Sequence, residues 1–241
     1  MKASDINELK ALKTVLPTGF RRFSLGVGCK ARLLLLPDWQ GANTQYMQRM
    51  AELYSRAIKA EIFIFHPYEI NNHPFHYNNE GRGAVYNVLH DRNYARNMMQ
   101  DALVQLEHYW TNKDIPLIIV GFCLGGTLSF EAARIVDHAC LVVSIHGNPS
   151  TDLRIEPQST KTPMVFIDGG ADPLIPRADV HSFLWEMQLS NRQWFSHTLG
   201  QSRHSFTKEE IGTLGPGSVY NLDSLNLSVD LVTSHIKQLV N

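Results

Sequence analysis

Short apolar runs alternate with longer amphipathic stretches along this chain. Arg32 to Leu36, Glu61 to Phe65, Leu117 to Val120, Leu141 to Ile145 and Met164 to Ile167 have strand length and are rich in branched aliphatic residues. Gln193 to Leu199 is a sixth, less apolar run, and Phe20 to Val27 alternates as an antiparallel edge strand does. Helical periodicity marks Thr44 to Lys59, Asn93 to Trp110, Gly126 to Val136, Ala178 to Leu189 and Leu225 to Val240. Met1 to Lys13 is polar and helical in pattern, and residues 1 to about 15 are expected to form a peripheral helix. Apolar strands alternating with amphipathic helices predict an α/β fold: a mostly parallel central sheet with helices on both faces. Residues 1–241 are expected to form one domain.

In such a sheet the ligand site lies beyond the carboxyl ends of the strands. The residues that follow each strand are therefore the ones to read. They are Pro37-Asp38-Trp39, then His66-Pro67-Tyr68 opening a polar loop to Val85, then Gly121-Phe122-Cys123. His146-Gly147-Asn148, Gly169-Gly170-Ala171-Asp172 and Gly200 to His204 complete the set.

Composition removes several function classes. Lys and Arg number 22 against 23 Asp and Glu, so no basic field draws the chain to nucleic acid or to an anionic membrane. The longest apolar stretches, Leu33 to Leu36 and Ile115 to Val120, fall far short of the ~20 residues that span a bilayer. No secretory apolar core opens the chain. Its three cysteines, Cys29, Cys123 and Cys140, form no CxxC pair. That argues against a disulfide framework or zinc site, and a cytoplasmic location is expected.

The chemistry is concentrated in Ile118-Ile119-Val120-Gly121-Phe122-Cys123-Leu124-Gly125-Gly126. The segment runs from strand through a tight turn into a helix, as the G-x-S-x-G nucleophile turn does, with Cys replacing Ser. Glycines two positions either side let strand and helix approach closely, and the turn thrusts the central side chain above the sheet. Cys123 then sits at a helix N-terminus, where free N–H groups and the dipole favour a thiolate. A buried structural cysteine is the plain alternative, and a phosphate-cradling loop lacks the spacing it needs. The downstream residues decide between them. Asp172 and His204 follow later strands, in the order nucleophile, acid, histidine that this class of hydrolase uses. Asp before Pro is also ordinary turn chemistry, yet three such residues on one rim of the sheet point to acyl transfer.

On these motifs the chain resembles the dienelactone hydrolases, an α/β-hydrolase family, from about Ala31 to the C-terminal helix. The matching pieces are Leu35 to Gly41, Gly121-Phe122-Cys123-Leu124-Gly125-Gly126, Gly169 to Pro176 and His204-Ser205-Phe206. The resemblance implies a Cys123-His204-Asp172 triad and hydrolysis of a lactone or other carboxylic ester through a cysteine acyl-enzyme. It implies that Asp38 stands where the family has a Glu that gates the nucleophile. It also implies a cation holding a substrate carboxylate. Lys208 lies at the expected spacing past the histidine, and Arg82 in the polar loop is the second candidate. With those cations the small-molecule substrate would be anionic. No cofactor or metal is implied.

The N–H groups of Leu124 and Trp39 are the expected oxyanion donors, since they follow the nucleophile and an early strand. The Trp39 side chain either walls the pocket or packs in the core. His146 ends a strand and is a candidate substrate contact. His73 and His76 lack a third ligand at metal spacing. Cys29 and Cys140 read as core cysteines, and Glu209-Glu210 as solvated surface. A general carboxylesterase or thioesterase is the rival enzyme. From another class, the rival is a catalytically idle member binding a small ligand or partner protein.

Overall fold

The computed structural model describes residues 19–24, 28–67, 88–153, 160–211, 213–214 and 217–240. The expected N-terminal helix, His73, His76 and Arg82 lie outside the described residues.

Each apolar run becomes a strand: β1 (Phe20–Arg22), β2 (Ala31–Leu36), β3 (Ala60–Phe65), β4 (Leu117–Phe122), β5 (Ala139–Ile145), β6 (Met164–Gly169) and β7 (Trp194–Leu199). They form a seven-stranded sheet in the order β1-β3-β2-β4-β5-β6-β7. All neighbours are parallel except β1, which pairs antiparallel with β3 at the edge. This is an α/β-hydrolase-like sheet. The periodic stretches become α1 (Gln45–Ala57), α2 (Arg92–Leu106), α3 (Leu124–Ile135), α4 (Arg177–Leu189) and α5 (Leu222–Val240). A small hairpin, β8 (Thr213–Leu214) with β9 (Ser218–Val219), stands apart from the sheet.

The two faces of the sheet are read directly from alternation. Leu34 and Leu36 point into one core with α2, α3 and α4, through Met99, Leu128 and Phe183. Leu33 and Leu35 point into the other with α1 and α5, through Tyr46, Met50 and Ile236. All four leucines are essentially fully buried, and each contributes on the order of 1.5–3 kcal/mol by leaving water. Two-sided burial explains why β2 reads as a continuous apolar run rather than an alternating one.

Helix starts follow local chemistry. Thr44 caps α1 by accepting from the Met47 N–H, and Asp91 caps α2 by accepting from the Tyr94 N–H. Helix α3 has no side-chain cap; its N-cap residue is Cys123. What pins α3 instead is the buried Glu131. Its carboxylate accepts from Arg96 at 2.7 Å and from Arg134 at 2.6 Å, with Arg92 at 3.9 Å. Arg134 also reaches Glu186 of α4.

From β2 the chain steps outward to β3, then returns to place β4 on the other side of β2. The order therefore reverses between β2 and β4. In α/β sheets that reversal opens a crevice at the carboxyl ends of the two strands. Asp38 follows one of them and Cys123 the other.

Candidate active site

The turn after β4 is built on close approach. A Cβ on Gly121 would lie 2.0 Å from the Gly125 carbonyl oxygen, and one on Gly125 would lie 2.1 Å from that of Leu36. Only glycine allows helix α3 to start so tightly against β2 and β4. The Gly125 N–H donates to the Pro37 carbonyl at 2.8 Å, tying the first turn of α3 to the loop after β2. Between the glycines, Cys123 takes φ 53° and ψ −112°. Among the described residues only Cys123, His146 and Ser205 combine a side chain with positive φ. All three lie at or beside the same cluster, where backbone strain of this kind tends to gather at working sites.

Cys123, His204 and Asp172 form one hydrogen-bonded line. The Sγ of Cys123 is 3.2 Å from Nε2 of His204, and Nδ1 of His204 is 2.7 Å from Oδ2 of Asp172. The other oxygen of Asp172 accepts from the Leu174 N–H at 2.8 Å. One oxygen of Asp172 thus bonds its own loop and the other the imidazole. The His204 backbone is fixed in turn by Gly217 and Val219 at β9. Burial works against a charge on His204, but the neighbouring Cys123 and Asp172 outweigh it and push its pKa up to about 10. The ring is therefore set to carry a proton beside the sulfur.

His146, at the end of β5, lies beneath this line. It is buried, and its ring stacks edge-on to that of His204 with centroids 5.3 Å apart. Its Nδ1 accepts from the Cys123 backbone N–H at 3.1 Å, and its Nε2 is 2.8 Å from Thr207 Oγ1. Both ring nitrogens are thus engaged by protein atoms. Thr207 is in turn 2.6 Å from the hydroxyl of Tyr46 on α1. Burial, then the charges of His204 and Lys208, hold the pKa of His146 well below the ordinary histidine value.

Asp38 and Lys208 are both buried, and the Lys208 ammonium contacts Asp38 Oδ2 and Gln40 Oε1. The Gln40 N–H donates to the other oxygen of Asp38 at 3.1 Å. Burial raises the pKa of Asp38 above the usual carboxylate range, and Lys208 opposes the rise. Lys208 also lies 5.4 Å above the Tyr46 ring. Leu124 opens α3, so its N–H has no carbonyl one turn earlier in the helix to pair with. Trp39 is half-buried and packs against the core on the α2, α3 and α4 face.

Some residues differ from the sequence-based expectation. Cys29 and Cys140 are half-buried rather than enclosed in the core. Glu209 and Glu210, by contrast, are exposed as a solvated surface should be, in a short 3₁₀ turn where they pair with Arg49. Tyr46, Thr207 and Gln40 were not singled out by sequence. The one available signal was that Thr207 shares the loop of His204. No cluster of three or more His, Cys, Asp or Glu suited to a metal occurs among the described residues. Nor is any described helix long and apolar enough to cross a membrane.

Comparison with known proteins bears on the fold and the family. No curated protein matches the chain. Among solved structures, the fold is shared with P91, a dienelactone hydrolase-like promiscuous phosphotriesterase from metagenomic libraries. Identity is 20%, 92% of each chain is covered, and the TM-score is 0.73. A dienelactone hydrolase from Anabaena variabilis is 16% identical over 95% of each chain, with TM-score 0.65. Esterase PE8 is 14% identical, covering 93% of this chain and all of the other, with TM-score 0.61. A family model matches residues 32–240, from β2 to the end of α5. By that match the chain belongs to the dienelactone hydrolase family.

Proposed function

We propose that this protein hydrolyses a carboxylic ester or lactone through an acyl-enzyme on Cys123. The observation that carries this reading is the line Cys123–His204–Asp172, with contacts of 3.2 and 2.7 Å, presented by a nucleophile at φ 53°. Such a line has the parts that covalent catalysis needs: a nucleophile, a base within hydrogen-bond reach, and a third group orienting the base.

In the proposed reaction the Cys123 sulfur attacks the substrate carbonyl carbon, and its proton resides on Nε2 of His204. The carbonyl oxygen becomes an oxyanion, for which the N–H groups of Leu124 and Trp39 are the proposed donors. The tetrahedral adduct collapses, the ester C–O bond breaks, and the leaving oxygen takes the proton from His204. In a lactone that oxygen stays attached to the acyl group. Water then gives a proton to Nε2 and attacks the thioester carbonyl. Collapse of this second adduct breaks the C–S bond and releases the acid, and the proton on His204 balances the returning thiolate. Asp172 keeps Nδ1 protonated and the ring aligned throughout.

Turnover of p-nitrophenyl acetate, with and without iodoacetamide, is the direct test. Turnover that alkylation abolishes, and that Cys123→Ala lowers by roughly 10³-fold or more, supports the reading. Cys123→Ser is expected to be a poor enzyme, because activation at this site is tuned for a thiol. Undiminished turnover in folded Cys123→Ala would overturn the assignment. A folded wild type inert toward a panel of lactones, aryl esters and thioesters would favour a ligand-binding role. That panel also separates lactone hydrolysis from general esterase activity.

A further inference from the structure

We infer that His146, backed by Thr207 and Tyr46, is a positioning residue that holds the nucleophile through its backbone N–H. The inference rests on Cys123 being the nucleophile. It assigns His146 a task other than substrate contact.

The argument begins with the Cys123 N–H. A backbone N–H can only donate, so the nitrogen that receives it, His146 Nδ1, carries no proton. In a neutral imidazole the proton is then on Nε2, which donates to Thr207 Oγ1. That hydroxyl is held in place by Tyr46, and Thr207 and Tyr46 are both fully buried. The tautomer of His146 is therefore set at both ends by protein groups. A protonated ring would lose the Cys123 contact, because Nδ1 would then have nothing to accept with. It would also put a second positive charge 5.3 Å, ring to ring, from His204.

The charged groups facing His146 are His204, from the edge of the cluster, and Lys208, from the loop that carries Thr207; both depress its pKa. Tyr46 stays un-ionised, since burial and then Asp38 push its pKa well above the ordinary tyrosine value. Neither Tyr46 nor His146 thus gains or loses a charge near neutrality.

What the chain stabilises is a strained turn. Cys123 at φ 53° needs surroundings that fix it. Its N–H is shared between the Ile145 carbonyl at 3.0 Å and His146 Nδ1 at 3.1 Å. Both acceptors lie at the end of β5, so that strand end holds the nucleophile from below. His146 itself adopts φ 42°, the left-handed region that among residues with side chains is entered most readily by Asn, Asp and His.

Nitrogen-15 NMR of imidazole-labelled protein reads the tautomer without reference to activity, and His146→Asn identifies the signal. The expected result is an Nε2–H imidazole that does not titrate between about pH 5 and 8. Thr207→Val removes the hydroxyl at nearly constant shape. It is expected to disturb that tautomer and to lower kcat on the order of 10- to 100-fold, with KM held within about twofold. Thr207→Ser, which restores the hydroxyl, is expected to recover both. An Nδ1–H tautomer, or titration of His146 in that window, overturns the inference even if Thr207→Val fails to fold. So does a Thr207→Val enzyme with unchanged kcat, provided Cys123→Ala is inactive. Activity in Cys123→Ala would instead sink the nucleophile assignment and leave the tautomer result standing.

Discussion

Lys208 and Asp38 are 170 positions apart in the chain, yet the buried ammonium of one contacts the buried carboxylate of the other. Gln40 shares the same ammonium. Lys208 therefore has an internal counterion, with which any anionic substrate would have to compete. Opposite changes on the two sides should move specificity in opposite directions. Asp38→Asn removes the competitor, so KM for acidic esters is expected to fall relative to neutral ones. Lys208→Ala removes the cation and is expected to raise KM for acidic esters selectively. Steady-state kinetics on a matched pair of acidic and neutral esters measures both. Equal changes for the two substrates would remove Lys208 from substrate binding.

The glycines of the nucleophile turn give a stability prediction with a built-in control. A Cβ at position 125 would meet the Leu36 carbonyl oxygen at 2.1 Å and that of Pro37 at 2.5 Å. Both are backbone atoms of an ordered strand end, so neither can move aside cheaply. Gly125→Ala is expected to destabilise by at least about 1–3 kcal/mol, the usual cost of overpacking. At Gly200, by contrast, an added Cβ meets nothing within 4 Å, and Gly200→Ala should be close to neutral. Urea denaturation midpoints of the two variants provide the comparison. Equal midpoints would contradict the close packing of α3 on β2.

Sequence and structure agree where chemistry is local. The strand β4 was legible because Leu117 to Val120 is a short apolar run, and the turn because Gly121 and Gly125 flank Cys123 at fixed spacing. Asp172 and His204 drew notice because each follows a strand end in the expected order. Interactions that depend on distant segments meeting were not legible. Nothing around Tyr46 announces that α1 brings its hydroxyl to Thr207, 161 positions away. Nor does the segment around Glu131 announce a buried carboxylate, since it reads as one more polar position on an amphipathic helix. Its partners Arg92 and Arg96 come from α2. The Asp38–Lys208 pair belongs to the same class. By sequence each residue relates to the thiol or to substrate, and their relation to each other is a property of the fold.

A further prediction joins Asp38 to Cys123, the proposed nucleophile. Lys208, which contacts Asp38, lies 5.4 Å above the Tyr46 ring, and Tyr46 is linked through Thr207 and His146 to the Cys123 N–H. We predict that Asp38 restrains the reactivity of the Cys123 sulfur. Alkylation of Asp38→Asn by iodoacetamide at a fixed pH is expected to be faster than in wild type. Equal rates in a folded variant would show that Lys208 already cancels the charge of Asp38 as far as the sulfur is concerned.

The proton on His204 supplies the last prediction. Its pKa, about 10, lies above the ordinary value of 6.5 despite a burial cost that acts the other way. Of the favourable influences, the charge of Cys123 comes first and the hydrogen bond to Asp172 next. Because the folded value is raised, the stability contributed by protonated His204 is complete below about pH 6.5. It is lost as pH climbs toward 10. Deleting the sulfur removes the first of the favourable influences and leaves the burial cost in place. In Cys123→Ala the His204 midpoint should therefore fall toward neutrality, while Asp172 continues to hold Nδ1. An NMR titration of the imidazole in wild type and Cys123→Ala measures the two midpoints. If they coincide, the sulfur does not hold the proton on His204.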